Sequence, residues 1–368
     1  MGQAVERKPD PVHLDQNSRR DPRLARPLLP TDLWRRTLAS YPDFGLVRTR
    51  RDLDQLLARH AEAAGARLLE GTKVIDAALD DRTGGVRGVV VQRDGGRYLY
   101  GARLVVAADG AASPMARIMG RPQRRDRAMG VAVRRYYTTP RTSDDYLETW
   151  LDLRARDAHG RDRILPGYGW IFPLGDGIWN VGIGTFTVNR KLDIDHRALF
   201  REWTARLPRH WHIDDDHADG PLRGHALPTG LSRRPQYARG VLLTGDAAGM
   251  INPITGEGID YALESGRLSA EIITQALARS SARRREQALH AYPQALKDAF
   301  GSYFTLGRLG VQLTYAQPRL VQSLTTQLLH RPALRRLALK LSANLTDPRG
   351  KDATDRIISA LLKLTPAA

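Results

Sequence analysis

The segment Gly245-Asp246-Ala247-Ala248-Gly249-Met250-Ile251-Asn252-Pro253-Ile254-Thr255-Gly256-Glu257-Gly258-Ile259 gathers the residue types that cradle a nucleotide. Asp246 can accept a hydrogen bond from a sugar hydroxyl, and Gly245 and Gly249 let a flat or charged ligand approach the backbone closely. The backbone N–H groups of Ala247 to Gly249 are expected to face that ligand. Gly256, Glu257 and Gly258 place a helix N-terminus beside it, where the positive end of the dipole favours the anionic edge of a bound ring. Asn252-Pro253 either fixes the turn that faces the ring or merely stops a strand. Glu257 also fits a first helical turn, where acids are favoured in any case. Val241 to Thr244 form a short apolar run suited to a buried parallel strand, and Ala262, Leu263, Gly266 and Ala270 recur at helical spacing from Ile259. The chemistry therefore sits on a strand, loop and helix unit.

Three other segments carry similar weight. Arg50-Arg51-Asp52-Leu53-Asp54 leads into Leu56 and Leu57, Leu104-Val105-Val106-Ala107-Ala108-Asp109-Gly110-Ala111-Ala112-Ser113 ends an apolar run on an acid and a glycine, and Pro166-Gly167-Tyr168-Gly169-Trp170-Ile171-Phe172-Pro173 alternates aromatic residues along one strand face. Tyr168, Trp170 and Phe172 fit a sheet core and the wall of a substrate tunnel equally well.

Together these segments resemble the flavoprotein monooxygenase superfamily and, within it, the geranylgeranyl reductase family, which includes enzymes that saturate a double bond in the menaquinone side chain. The resemblance runs from near Leu38 over about nine tenths of the chain. It implies FAD as cofactor, held by Arg50, Asp109, Gly245, Asp246, Ala247, Gly249, Pro253, Gly256, Glu257 and Gly258, with Tyr168, Trp170 and Phe172 lining the substrate site. It implies a prenyl lipid substrate and hydride delivery to one carbon of an isoprenoid double bond, with a proton added to the other; it leaves the electron donor open. Tyr136, Tyr137 and Tyr168 are the candidate proton donors. An aromatic hydroxylase of the same superfamily, and a non-catalytic remnant that binds lipid or membrane, are the competing readings.

The chain departs from the family pattern at its start. Members open on a strand followed by Gly-x-Gly-x-x-Gly, whereas Gly2 is the only glycine between Met1 and Asp43 here, and that stretch is rich in arginine and proline. A truncated or misread version of a longer flavoprotein is the expected explanation, ahead of a natural variant with weak or no flavin binding. The family's cysteine is missing too, since the sequence contains none, and this also excludes disulfides and thiolate metal sites. Scattered histidines show no ligand spacing, so no metal is expected.

The 368 residues carry a net charge of +17, and residues 279–368 alone hold fifteen basic against five acidic side chains. Leu306, Leu309 and Leu313, then Leu320, Leu324, Leu328 and Leu329, then Ile357, Ile358, Leu361, Leu362 and Leu364 form apolar stripes among these arginines. Such helices suit the surface of an anionic membrane, or are simply a solvated basic face. Aromatic residues are not interleaved with the basic ones, so nucleic acid is not an expected partner. No apolar run reaches the roughly 20 residues of a spanning helix, and no signal peptide opens the chain, so the protein is expected in the cytoplasm, peripheral to the inner face of the membrane where it meets lipid.

The expected fold class is α/β (α+β): a partial FAD-binding Rossmann-like domain, an inserted antiparallel β-sheet substrate domain and a helical C-terminus. Residues 1–37 read as an irregular leader, 38–129 and 238–300 as the discontinuous nucleotide domain, 130–237 as the β-rich insertion and 301–368 as the basic helical region. Helices are expected at Asp52 to Ala64 and Ala198 to Leu207. Strands are expected at Arg67 to Leu69, Lys73 to Ala77, Val86 to Gln92, Leu104 to Ala107, Val131 to Tyr137, Tyr146 to Leu151, Tyr168 to Leu174 and Ile178 to Thr185, the last two joined by a Gly175-Asp176-Gly177 turn.

Overall fold

Two short apolar runs far apart in sequence set the frame. In the computed structural model, which describes residues 46–144, 146–151, 153–156, 162–187, 194–317, 320, 323, 331–347 and 352–367, they pair as parallel strands. These are β4 (Val105–Ala107) and β13 (Val241–Leu243), in register Val241 to Val105 and Leu243 to Ala107. The two-residue strand β12 (Tyr237–Ala238) adds to β13 in antiparallel fashion, giving the order β12-β13-β4. Among the described residues the outer edge of β4 carries no strand, and Val106 is exposed there. The leader 1–37, the start of the nucleotide segment to residue 45, and Leu324, Leu328 and Leu329 lie outside the described residues.

Before β4 the chain forms helix α1 (Arg50–Ala63) and an antiparallel meander of β1 (Lys73–Leu79), β2 (Val86–Arg93) and β3 (Gly96–Gly101). Helix α1 starts two residues earlier than its apolar pattern suggests, because the Thr49 hydroxyl accepts the Asp52 N–H and caps it. The strand expected at Arg67 to Leu69 does not form. Its apolar content is two leucines, and no neighbouring strand takes up its backbone groups.

After the short helix α2 (Pro114–Ile118) the chain leaves for a five-stranded antiparallel sheet. Its order is β11 (Ala218–Pro228), β5 (Met129–Thr138), β10 (Ile178–Thr187), β9 (Gly167–Gly175) and β6 (Glu148–Trp150); a separate hairpin pairs β7 (Arg154–Arg156) with β8 (Asp162–Ile164). β9 turns into β10 through Asp176 and Gly177, both in the left-handed region at φ 49° and 74°, as a two-residue hairpin with the right-handed strand twist requires. One face of this sheet buries Val133, Tyr137, Ile171, Val181 and Ile183 against helix α3 (His196–Thr204), which contributes Leu199, Phe200 and Trp203. Asp195 caps α3, so that helix too begins ahead of its apolar stripe.

The opposite face is shaped by missing side chains. A Cβ on Gly182 would stand 2.2 Å from the Trp170 ring, so the ring lies across the bare backbone of β10. The chain then returns to β13 and enters helix α4 (Ile259–Leu277), α5 (Ala282–Leu289) and the long α6 (Tyr292–Ala316). Tyr261, Ile272, Tyr292, Leu296, Phe300 and Phe304 pack from these helices onto β13 in one buried cluster. Helices α7 (Pro332–Ser342) and α8 (Ala353–Leu364) close the chain, joined by the buried Lys340 ammonium, 2.8 Å from both oxygens of Asp355.

Candidate functional site

Parallel strands deliver their following loops to the same end of a sheet, which is where ligands of open α/β sheets bind. Here those loops are Ala108-Asp109-Gly110 after β4 and Gly245 to Gly249 after β13, and the Thr244 N–H bonds the Ala107 carbonyl at 3.1 Å to hold them level. Arg233, which nothing in the sequence singles out, clamps the pair. It is buried and donates to the Ala111 carbonyl at 2.8 Å and the Ala247 carbonyl at 3.2 Å, one from each loop. Arg121 does similar work lower down, bonding the carbonyls of Val241 and Ala238 at 3.0 and 2.6 Å.

Within the second loop each small residue has a visible cause. A Cβ on Gly245 would come within 2.9 Å of the Ala262 Cβ, and one on Gly249 within 2.0 Å of the Ser232 Oγ, while both residues have φ in the left-handed region at 53° and 72°. Ser265 of α4 is buried beneath the loop, sharing a 2.6 Å hydrogen bond with Thr244 and accepting the Gly245 N–H at 3.1 Å. Gly249 differs from expectation. Its N–H bonds the Asp246 carbonyl at 2.9 Å and so closes the loop instead of pointing outward.

Asp246 is partly buried over the start of α4, its Oδ1 3.0 Å from where a Cβ on Gly258 would sit. Among the described residues no group donates a hydrogen bond to its carboxylate, and burial pushes it above its ordinary 3.8 against the opposing pull of His225 and Arg50. The Arg50 guanidinium itself is exposed and paired to Asp54 at 3.1 and 3.2 Å. Asp109 also has a structural task. It accepts the Ser113 hydroxyl at 2.6 Å and the Met115 N–H at 2.9 Å, fastening the start of α2.

Asn252 holds the turn together from inside. It is buried, its Oδ1 accepts the N–H groups of Ile254 and Thr255 at 2.8 and 3.3 Å, and its Nδ2 donates to Tyr303, Ser342 and Tyr261. The 252–257 turn is thus fixed to α4, α6 and the end of α7. Pro253 is buried in it, and a Cβ on Gly307 of α6 would come within 2.5 Å of the Pro253 ring. Gly256 (φ 76°) shapes the turn's far side, and Glu257 lies exposed before Gly258, its carboxyl pushed up by desolvation and by Asp260. Gly258 gives α4 no side-chain cap, and the Asp246 carboxylate stands beside it at the start of that helix.

The aromatic strand reaches this turn. The Tyr168 hydroxyl donates to the Thr255 carbonyl, and the Tyr168, Trp170 and Phe172 rings follow one another at 6.0 and 6.4 Å along the face of β9 turned away from α3. Tyr168, Trp170 and the 252–257 turn therefore stand together, with Phe172 further out. Of the three candidate tyrosines, Tyr137 is buried on the α3 side and is removed from the site. Tyr136 shares the open face and lies under the Arg134 guanidinium at 4.4 Å.

Residues 32–294 match the family described as FAD binding domain. The chain belongs to this family. Its branch is that of the geranylgeranyl reductases. A menaquinone reductase of Mycobacterium tuberculosis (strain ATCC 25618 / H37Rv) is 34% identical over 320 residues, covering 86% of this chain and 73% of that protein. A digeranylgeranylglycerophospholipid reductase of Methanothrix thermoacetophila is 28% identical over 260 residues, covering 70% and 62%. Among solved structures, a geranylgeranyl bacteriochlorophyll reductase-like protein of Thermoplasma acidophilum superimposes with a TM-score of 0.59 at 20% identity, covering 86% of this chain and 68% of that one, which speaks to the fold. The cofactor is accordingly FAD. The residues present fit it: a carboxylate with no internal donor, glycine backbone that admits no Cβ, and an uncapped helix N-terminus meet at one sheet end.

Two outcomes are expected. Arg233→Gln leaves the carbonyls of Ala111 and Ala247 without their charged donor and lowers stability by about 2 kcal/mol; urea unfolding measures this, and an unchanged midpoint would show that the loops hold without the clamp. Asp246, with its folded pKa raised, costs the cofactor-free fold nothing below the unfolded value and penalises it as pH rises through the folded one. Asp246→Asn should therefore raise the melting temperature of the FAD-free protein at pH 7 but leave it unaltered near pH 3; a melting temperature lowered at pH 7 would contradict this.

Proposed function

We propose that this chain is an FAD-dependent reductase that saturates isoprenoid double bonds in a prenyl lipid such as menaquinone or a geranylgeranyl lipid. The observation that carries the reading is the Tyr168 hydroxyl on the Thr255 carbonyl, because it seats an aromatic sheet face directly against the 252–257 turn. In this reading Asp246 holds a sugar hydroxyl of FAD, Gly245, Ala247 and Gly249 admit it to the backbone, and Arg50 and Asp109 flank it. Pro253, Gly256, Glu257 and Gly258 form the wall beneath its ring. FAD, when bound and reduced, supplies the hydride for one carbon of the double bond.

The protein's part is placement. Trp170, lying across Gly182, offers a flat apolar surface to an extended chain, while Tyr168 and Phe172 continue that wall on either side. Excluding water there protects the reduced cofactor and orients a substrate that has no polar handle near the reacting carbons. Burial and the Glu257 carboxylate raise the Tyr168 phenol well above its ordinary 10, so it stays protonated and keeps its bond to Thr255. Tyr168 is thus a positioning residue, and Tyr136 is left as the tyrosine on the open face able to hold a proton toward substrate.

The substrate's residence suggests where the enzyme works. No helix among the described residues is long and apolar enough to cross a membrane. Leu309 and Leu313 of α6 and Ile357, Leu361 and Leu364 of α8 are exposed, however, and the Ser302 hydroxyl bonds the Thr365 carbonyl at 2.9 Å, joining the two helices. We propose that this apolar surface, in the quarter of the chain with the basic surplus, rests on an anionic bilayer.

Purified protein incubated with FAD is expected to show flavin absorbance and, with a chemical reductant and a polyunsaturated prenyl quinone, a product heavier by two hydrogens. Trp170→Ala should cut that turnover at least tenfold while retaining FAD. A product heavier by one oxygen would instead identify a hydroxylase, and a protein that stays colourless would end the catalytic reading. For the membrane, Ile357→Asp with Leu361→Asp is expected to abolish sedimentation with phosphatidylglycerol vesicles; undiminished sedimentation would place the contact elsewhere.

A further inference from the structure

The loop from Arg121 to Ala128, which joins α2 to β5, carries an arrangement of charge that the flavin chemistry does not use. The Arg124 N–H bonds the Ser232 carbonyl at 2.7 Å, and Gln123 forms a β-bridge with Arg233, so the loop lies against the segment that bears Arg234. At its other end the Ala128 carbonyl accepts the Thr229 hydroxyl at 2.7 Å, and Ala128 packs with Phe186 and Val311 in one buried cluster. Val311 is one helical turn beyond Arg308 on α6, so Arg308 shares the face of the helix that meets this loop. Three separate chain segments thereby bring Arg124, Arg127, Arg234 and Arg308 together. Their mutual influence is evident in Arg127, whose guanidinium burial lowers to about 10 and which Arg124, Arg308 and Arg234 oppose in turn.

Asp126 supports Arg124, Arg127 and Arg234 at once, and a single carboxylate among four guanidinium groups leaves them with a surplus of positive charge. Asp126 is engaged by Arg124 at 2.9 and 2.5 Å. Arg127 and Arg308 each hold a buried Nε with no hydrogen-bond partner, and among the described residues neither forms an ion pair or hydrogen bond through its other nitrogens. Desolvated cations set against one another are costly unless an anion joins them. Guanidinium groups offer planar pairs of N–H donors that match the oxygens of phosphate better than a lone point charge does. The site is also close to the reaction. Phe186, which packs on Ala128, comes within 3.5 Å of where a Cβ on Gly256 would sit.

We propose that Arg124, Arg127, Arg234 and Arg308 form a binding site for a phosphate-class oxyanion, at the junction of the five-stranded sheet and α6 and beside the cofactor turn. Its ligand is a phosphate carried by a lipid headgroup or by a soluble phosphorylated compound. A second basic region, the open cleft of about 940 Å³ lined by Arg87, Arg103, Arg239 and Arg285, differs in kind. Arg87, Arg103 and Arg239 are exposed to solvent there, whereas Arg234 alone of the other four is exposed, and the cleft contains the Glu286 carboxylate, which makes Arg239 a suitable control.

The test is calorimetric titration of the full chain at low salt, with and without saturating FAD, using inorganic pyrophosphate and a soluble short-chain phosphatidate. Saturable pyrophosphate binding is expected, weakened at least tenfold by Arg127→Gln and by Arg308→Gln and unchanged by Arg239→Gln. Should Arg127→Gln fail to fold, Arg308→Gln, on a helix face half open to water, gives the same reading. Phosphatidate binding that competes with pyrophosphate identifies a headgroup, and pyrophosphate binding alone identifies a soluble phosphate. No saturable binding of either compound, or equal binding by wild type and Arg308→Gln, overturns the proposal. Binding by a colourless protein would retain this site while removing the flavin reading.

Discussion

The parallel pairing of β4 with β13 is the constraint on which the rest of the structure depends. Three residue pairs, Val105 with Val241 through Ala107 with Leu243, bring together loops that lie more than 130 positions apart. Such contacts carry a large loop-closure cost and little area of their own, so they need support from elsewhere. It comes from two buried arginines, Arg121 and Arg233, which satisfy carbonyls at either end of the strand pair, and from Ser265, which ties the second loop to α4. Asp109 and Asp246 are both placed by this arrangement, though only Asp246 retains a carboxylate free for a ligand.

The five-stranded sheet solves a different problem with its two faces. The side against α3 is filled by Val, Ile, Tyr and Trp side chains, which supplies the rigidity. On the other side Gly182 and Gly184 leave room for the Trp170 ring to lie over the bare backbone of β10, with its Nε1 donating to Asn180. In the function proposed above, the flat Trp170 ring, held from behind, suits a substrate that lacks hydrogen-bonding groups at its reacting carbons. Tyr168 supplies the connection to the 252–257 turn through its polar tip while its ring stays beside Trp170.

The sequence was most legible where a local pattern and a local cause coincide. The β9–β10 hairpin follows from Gly175-Asp176-Gly177, and the strand, loop and helix unit from Val241 onward follows from glycine spacing and helical periodicity. Boundaries shifted where a cap outside the apolar stripe governed them, as with Thr49 and Asp195. Arg67 to Leu69 showed that two leucines do not make a strand without a neighbour to pair with. Arg233 was invisible for another reason: its role rests on two carbonyls from distant segments, and nothing local marks it out among 57 lysines and arginines. Tyr137 and Tyr136 were likewise equivalent in sequence, and only the side of the sheet occupied by α3 told them apart.

Net charge illustrates the same distinction between composition and placement. The formal +17 suggests an anionic partner, yet several cations are already committed inside the fold. Arg121 and Arg233 bond carbonyls, Arg141 lies between the Trp179 and Trp211 rings at 4.3 and 4.1 Å, and Lys340 is neutralised by Asp355. Exposed arginines around the open cleft are hydrated and inexpensive to maintain. What distinguishes a recognition site is therefore the combination of cations with partial burial, mutual repulsion and unpartnered donors. Arg127 and Arg308 meet all three conditions. Phe186, packed on Ala128, approaches Gly256, so an anion held by this group would stand beside the turn that the Tyr168 hydroxyl contacts.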